Sequence, residues 1–204
     1  MLDESALRLS LDAIAAREPA IADAIERLGY PASRQRAPGY ETLLRTIVGQ
    51  QVSVAAAASV WRKLEDLLGE TMTPEGLLAA DFDTLRACGL SRQKQGYARS
   101  LAELVASGEL DLMDLPADDE EAIAQLVRIK GIGRWSAEIY LLFAEGRPDI
   151  WPAGDLAVQA GIGKILGLPE RPSEKATREL AEAWRPHRGA IAIFTWHCYN
   201  NPAL

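Results

Sequence analysis

The tripeptide Gly131-Ile132-Gly133 lies between two apolar runs with helical spacing, and it constrains this chain more than any other feature. Upstream, Asp118, Asp119, Glu120 and Glu121 mark a helix start, because carboxylates belong where backbone N–H groups lack partners. Ile123, Leu126 and Val127 then share one face at the i, i+3, i+4 spacing. Lys130 is expected in the last turn, where a cation suits the negative end of the helix dipole. Gly131 is expected to stop the helix, since it tolerates a left-handed backbone. A second periodic run begins at once with Trp135, Ile139, Leu142 and Phe143. Helices joined by so short a turn must meet at a sharp angle. Its N–H groups have no side chain over them and sit at a helix N-terminus, which suits an anion such as a DNA phosphate. Arg128, Lys130 and Arg134 flank the point. A Gly-x-Gly also describes an ordinary tight turn between packed helices, so the hairpin alone leaves both readings open.

Asp155 follows Trp135 by 20 residues, after a loop holding Pro148, Pro152 and Gly154 and before Leu156-Ala157-Val158. An aspartate in that position is equally what a helix N-cap looks like. Hairpin and aspartate together resemble the helix-hairpin-helix (HhH-GPD) DNA glycosylase superfamily, whose motif runs from a Gly-x-Gly hairpin to a catalytic Asp. The 3-methyladenine DNA glycosylase II (AlkA-like) branch has Gly-Ile-Gly-Arg-Trp-Thr/Ser-Ala at the hairpin, here Gly131 to Ala137.

That resemblance implies an all-α fold: a two-lobed helical bundle with a helix-hairpin-helix motif and an active-site cleft between the lobes. The whole chain, 1–204, is then one glycosylase unit. One lobe comes from about 30–115, the other from about 1–29 and 116–204 with the hairpin at 126–144. Asp155 is the implied catalytic residue, and Trp135, Gln50, Ile139 and His187 the implied base pocket. The segment Ile47 to Ala55 resembles the part of these enzymes that carries the residue inserted into the DNA stack, which makes Gln51 the wedge. A solvent-exposed helix junction is the plain alternative for the two glutamines. The implied DNA contacts are Gln51, Ser53, Leu90, Ser91, Lys130, Gly131, Ile132, Gly133, Arg134 and Ser136, with Leu90 and Ser91 on a second loop inserted at the lesion. A monovalent cation, Na+ or K+, at the carbonyls of Ile129 and Ile132 is also implied.

Elsewhere the periodicity is helical and no alternating strand pattern stands out. Leu7, Leu11 and Ile14, then Ile21, Ile25 and Leu28, predict two short helices flanking Pro19. Further helices are predicted over Tyr40 to Gly49, Val54 to Leu68, from Thr73-Pro74, from Asp81 or Asp83 up to Gly89, and from Ser91 through Val105. Gly161-Ile162-Gly163-Lys164 repeats the hairpin's letters inside a short helix, but without the spacing of a phosphate loop. Ser173 starts a helix through Leu180 and Trp184, and a closing helix carries Phe194 and Trp196 as core aromatics.

With 48% hydrophobic residues the chain can bury a core without staples. Two cysteines, Cys88 and Cys198, make neither a disulfide framework nor a four-cysteine iron–sulfur cluster. Two histidines without a carboxylate-histidine motif argue against catalytic zinc. The acidic start, Met-Leu-Asp-Glu-Ser, lacks a signal peptide's basic region, so an intracellular protein is expected, cytoplasmic and nucleoid-associated if bacterial. No apolar run suggests membrane association. A net charge of −7 argues against a protein that coats nucleic acid, but the local field decides where a duplex docks. Arg92, Lys94, Arg99, Arg128, Lys130 and Arg134 are expected to form one basic face on an acidic body.

The expected activity is that of a monofunctional DNA glycosylase, an N-glycosyl hydrolase of base excision repair. It flips alkylated purines of the 3-methyladenine and 7-methylguanine type out of double-stranded DNA and excises them, leaving an abasic site. Superfamily members that also cut the strand carry a lysine where this chain has Trp135, so the Schiff-base amine is missing. AlkA-like relatives place aromatics where this chain has Ile139 and His187, which leaves the pocket less electron-rich. A glycosylase for another lesion, and a non-catalytic hairpin module, are the competing readings. No cofactor is required, and a monomer is the simplest expectation for a lesion scanner.

Overall fold

The computed structural model describes residues 2–69 and 72–201, and every regular element among them is helical. In chain order these are α1 (Glu4–Ala15), α2 (Pro19–Leu28), α3 (Tyr40–Gly49), α4 (Val54–Leu68), α5 (Pro74–Ala79) and α6 (Phe82–Ala87). There follow α7 (Arg92–Ala106), α8 (Asp119–Leu126), α9 (Arg134–Phe143), α10 (Leu156–Ile165), α11 (Glu174–Ala181), a 3-10 turn (Glu182–Trp184) and α12 (Arg188–Tyr199). The helix starts are built by side chains that accept an orphan backbone N–H: Asp3, Ser53, Thr73, Asp81, Ser91, Asp118, Asp155 and Ser173. Of the two aspartates expected to cap α6, it is Asp81 that does so. The helix expected to run into Trp184 stops at Ala181 and tightens into the 3-10 turn.

Packing divides the chain into two units, one from 36–140 and one from both ends, 1–35 and 141–204. This differs from the expected division, because the hairpin belongs with the middle of the chain. Ser100 Oγ on α7 accepts the Lys130 N–H at 3.1 Å, and the Arg128 guanidinium donates to the Glu109 carbonyl at 3.1 Å. Those bonds tie the hairpin to α7 and the loop after it.

In the middle unit α3 and α5 both pack on α7, and α4 packs on α3. Leu43, Leu44, Ile47, Leu64, Leu77, Leu85, Ala98 and Leu101 are fully enclosed. They fall at helical spacing, so each amphipathic helix contributes one apolar stripe.

In the terminal unit α10 lies against α12, and α1 packs on α2 and α12. Leu7, Leu11, Ile14, Ile21, Val158, Ile162, Ile191 and Phe194 form its core. Here the second Gly-Ile-Gly finds its explanation. A Cβ at Gly161 would lie 2.6 Å from both Cγ2 and the carbonyl O of Thr195, so glycine lets α10 and α12 touch backbone to backbone. A Cβ at Gly163 would press on Pro172 Cδ at 3.1 Å. The repeat of letters is packing, not a second anion site.

Candidate active site

α8 ends at Leu126, one turn earlier than expected, because beyond Val127 the N–H groups reach back three residues instead of four, Arg128 to Gln125 O at 3.2 Å and Ile129 to Leu126 O at 3.1 Å. Lys130 therefore lies within the hairpin and not in the last turn of α8. Gly131 has φ +83°, a conformation that costs an L-residue about 1–2 kcal/mol. A Cβ there would also overlap the Tyr97 ring. Two independent reasons thus require glycine. The turn closes with Ile132 N–H donating to Ile129 O at 3.0 Å, and Gly133 O receives Ala137 N–H at 3.0 Å. Gly133 and Arg134 present their amides at the open start of α9, where a helix leaves N–H groups unanswered.

Around the hairpin runs an open groove of about 1310 Å³, wholly within the middle unit. Its lining includes Gln50, Gln51, Ser91, Lys94, Tyr97, Gly131, Trp135, Ser136 and Ile139. Trp135 is 48% exposed and lies on the groove wall. Gln50 donates from Nε2 to Gly131 O at 2.8 Å, so it reaches the hairpin itself. Gln51 is exposed and left-handed, with φ +55°, the sole positive-φ position outside glycine among the described residues. Strain of that kind gathers at functional sites and costs about 1–3 kcal/mol. Past it, Ser53 caps α4 by accepting Ala56 N–H at 3.2 Å.

Three expectations need correction. Leu90 is 1% exposed and sits in the middle unit's core, so it cannot be an inserted side chain; beside it Ser91 caps α7. The Ile132 side chain is buried and its N–H is spent on Ile129 O, so it offers a phosphate nothing. The basic face is thinner than the letters suggested. Arg128 pairs with Glu109 at 2.7 Å, and Arg134 is clamped by Glu120 and by buried Glu138. The Glu120 hydrogen bond, with the charges of Glu138 and Glu120, holds that guanidinium firmly protonated. Arg99 stacks over Phe82 at 4.8 Å and donates to the Ala80 carbonyl. The basic residues that line the groove are instead Arg36, Arg45 and Lys94, of which Arg36 and Arg45 were not expected.

The terminal unit holds Asp155 and His187. Asp155 is the N-cap of α10, as the plain alternative had it: Oδ1 accepts Ala157 N–H at 2.8 Å and Val158 N–H at 2.9 Å. A third donor reaches the same oxygen, the Trp196 indole N–H at 3.1 Å. Trp196, expected to be only a core aromatic, is half-buried and lies 5.6 Å from the Phe143 ring. No local signal marks it, since the pair is 41 residues apart. His187 is absent from the groove's lining and hydrogen-bonds Ser10 Oγ through Nδ1 at 3.1 Å. The four expected base-pocket residues are therefore three on the groove, Trp135, Gln50 and Ile139, and one elsewhere. Tyr97 was missed as a site residue because its spacing reads as ordinary helix core. No cluster of three metal-ligating side chains occurs among the described residues, and no described helix is long and apolar enough to cross a membrane.

An all-helical chain whose hairpin amides, exposed indole and strained glutamine surround one groove has the parts of a DNA-handling protein. Residues 44–186 match the model of the HhH-GPD superfamily base excision DNA repair proteins, and the chain belongs to that family. It is 33% identical over 168 residues to DNA-3-methyladenine glycosylase 1 of Schizosaccharomyces pombe, covering 80% of this chain and 74% of that one. With DNA-3-methyladenine glycosylase 2 of Escherichia coli it shares 31% identity over 188 residues, 85% of this chain and 64% of that protein's length. Among solved structures, a DNA-3-methyladenine glycosidase from Bacillus halodurans superposes with a TM-score of 0.88 at 30% identity, covering 94% of this chain and 89% of that one. The S. pombe 3-methyladenine DNA glycosylase Mag1 in complex with abasic DNA superposes at 0.80 with 28% identity, covering 96% and 98%.

Proposed function

We propose that this chain is a monofunctional DNA glycosylase that extrudes alkylated purines, 3-methyladenine and 7-methylguanine in type, from duplex DNA and hydrolyses their glycosidic bond. The observation that carries the reading is Trp135, exposed on the groove at the position where a strand-cutting relative would need a lysine. A purine alkylated at N3 or N7 is cationic, and its attraction to an aromatic face is worth about 0.5–2 kcal/mol. The same charge makes the base a good leaving group, so no general acid is needed. The amides of Gly133 and Arg134 hold a phosphate, helped by Lys130. Gln51 fills the space left by the extruded nucleotide, whose unstacking costs a few kcal/mol.

As the C1′–N bond breaks, its electron pair leaves with the base and the sugar gains oxocarbenium character. The Asp155 carboxylate stabilises that charge, and water adds through its oxygen at C1′ and gives up a proton to solvent, leaving the abasic product. Three donors on Oδ1 fix the carboxylate before the reaction, which avoids reorganisation at the moment charge develops. A monovalent cation fits the hairpin carbonyls, since Ile129 O keeps a lone pair beyond its bond from Ile132 N–H. Such an ion would offset phosphate charge, and no step passes through it. The enzyme acts as a monomer inside the cell.

The deciding experiment is release of free base from methylated duplex DNA by the wild-type chain, with borohydride added to trap any Schiff base. Released methylpurine without a trapped adduct is expected. A covalent adduct, or no base release from any methylated duplex, overturns the reading.

A further inference from the structure

The turn between α3 and α4 is held from two sides by contacts that the reaction itself does not require. Gln50 Nε2 donates to the hairpin carbonyl Gly131 O at 2.8 Å, across 81 residues of sequence. From α7, Lys94 Nζ donates to Val48 O at 2.7 Å, across 46 residues. Val48 is in the last turn of α3, where carbonyls lack helical partners and carry the negative end of the dipole. Burial lowers the Lys94 pKa, and no carboxylate contributes to the shift. The residue between these two anchors and α4 is Gln51, exposed at φ +55°. An L-residue keeps that conformation only where its surroundings over-determine it. Here the surroundings include the hairpin on one side and α7 on the other.

We propose that Gln50 and Lys94 are positioning residues that brace the Gln51 turn, Gln50 against the hairpin and Lys94 against α7. The brace makes the phosphate-binding hairpin and the wedge one rigid piece, so that seating a phosphate also aims Gln51. The inference rests on the glycosylase reading above and adds a division of labour within it. Gln50, expected to touch the base, instead acts through its neighbour.

A wedge matters only while a stack must be opened. The test therefore compares single-turnover release of 7-methylguanine from two duplexes, one with the lesion paired to cytosine and one with it opposite a tetrahydrofuran abasic analogue. Extrusion from the second is already cheap. For Gln50→Leu and Lys94→Met, release from the paired duplex should slow on the order of tenfold, the scale of a small misplacement of a working group. Release from the unpaired duplex should fall less, so that the paired-to-unpaired ratio of rates drops several-fold, and a wild-type circular dichroism spectrum and Tm show that the variants are folded. Lys94→Arg keeps a donor and should restore the wild-type ratio. An unchanged paired-to-unpaired ratio in both variants, whether activity is intact or uniformly lost, overturns the inference while leaving an active wild type intact. A wild-type chain silent on both duplexes overturns the glycosylase reading and this inference with it.

Discussion

The middle unit presents its proposed DNA contacts on turns, whereas the terminal unit mounts Asp155, the proposed catalytic carboxylate, on a helix that is buried along most of its length. Gln51, Lys130, Gly131, Gly133 and Trp135 are exposed, and Gln51 is strained. In α10 the sequence after Asp155 disappears into the core at Val158, Gln159, Gly161, Ile162 and Gly163, with the bare backbone of Gly161 pressed on Thr195. Surfaces that grip a long anion gain from open amides and adaptable side chains. A carboxylate that must meet developing charge gains from having nowhere else to go. The difference teaches that binding and chemistry can be damaged separately.

The largest effect should follow Asp155→Asn. Asparagine is as good an N-cap as aspartate, so α10 keeps its start and the fold its stability. What is lost is the charge. Base release should fall by roughly 100- to 1000-fold, the range seen when preorganised electrostatic aid is removed. Affinity for a lesion-bearing duplex should hold, measured by fluorescence anisotropy. A variant that lost affinity in step with rate would collapse the distinction between the two regions.

Next in size is Gly161→Ala, which aims at the mount and touches no substrate. Its methyl would sit 2.6 Å from a backbone oxygen that cannot move without parting α10 from α12. Overpacking of this kind costs about 1–3 kcal/mol, and a drop of several degrees in Tm is expected. Duplex affinity should be spared below the new Tm. By contrast Gly131→Ala attacks the grip: it forces an L-residue to φ +83° and meets the Tyr97 ring. Duplex affinity should weaken about tenfold, equivalent to roughly 1–2 kcal/mol for the unfavourable backbone. Titration of an undamaged duplex checks this, since the proposed role of the hairpin is to hold phosphate and not the lesion.

How much of this was legible follows from the range of each interaction. The hairpin, the Asp155 turn and nearly every helix start rest on neighbours a few residues away, and sequence spacing displays those. The α8 end was misplaced because Lys130 and Gly131 suit a helix terminus as well as a hairpin. Leu90 was misjudged because an apolar residue beside a cap can face the lesion or the core with the same letters. Arg128 and Arg134 carry the charge expected of them, yet Glu109 and Glu120, 19 and 14 residues away, claim it first. Gln50 to Gly131 and Trp196 to Asp155 depend on tertiary folding alone, and no period or motif announces them.

The Trp196 contact gives the finest cut between the regions. Trp196→Phe keeps an aromatic ring 5.6 Å from Phe143 but removes the indole N–H from Asp155 Oδ1. A hydrogen bond to a carboxylate is charge-assisted and contributes about 1.5–3 kcal/mol, part of which the other two donors on the same oxygen make good, so release should slow about tenfold. The two backbone donors remain, which is why the loss should fall far short of that from Asp155→Asn. The change should appear in kcat with KM little altered, because the carboxylate is worth more to the developing cation than to the bound nucleotide. If KM rises and kcat does not, the indole is acting as binding surface, and the terminal unit shares the grip as well as the chemistry.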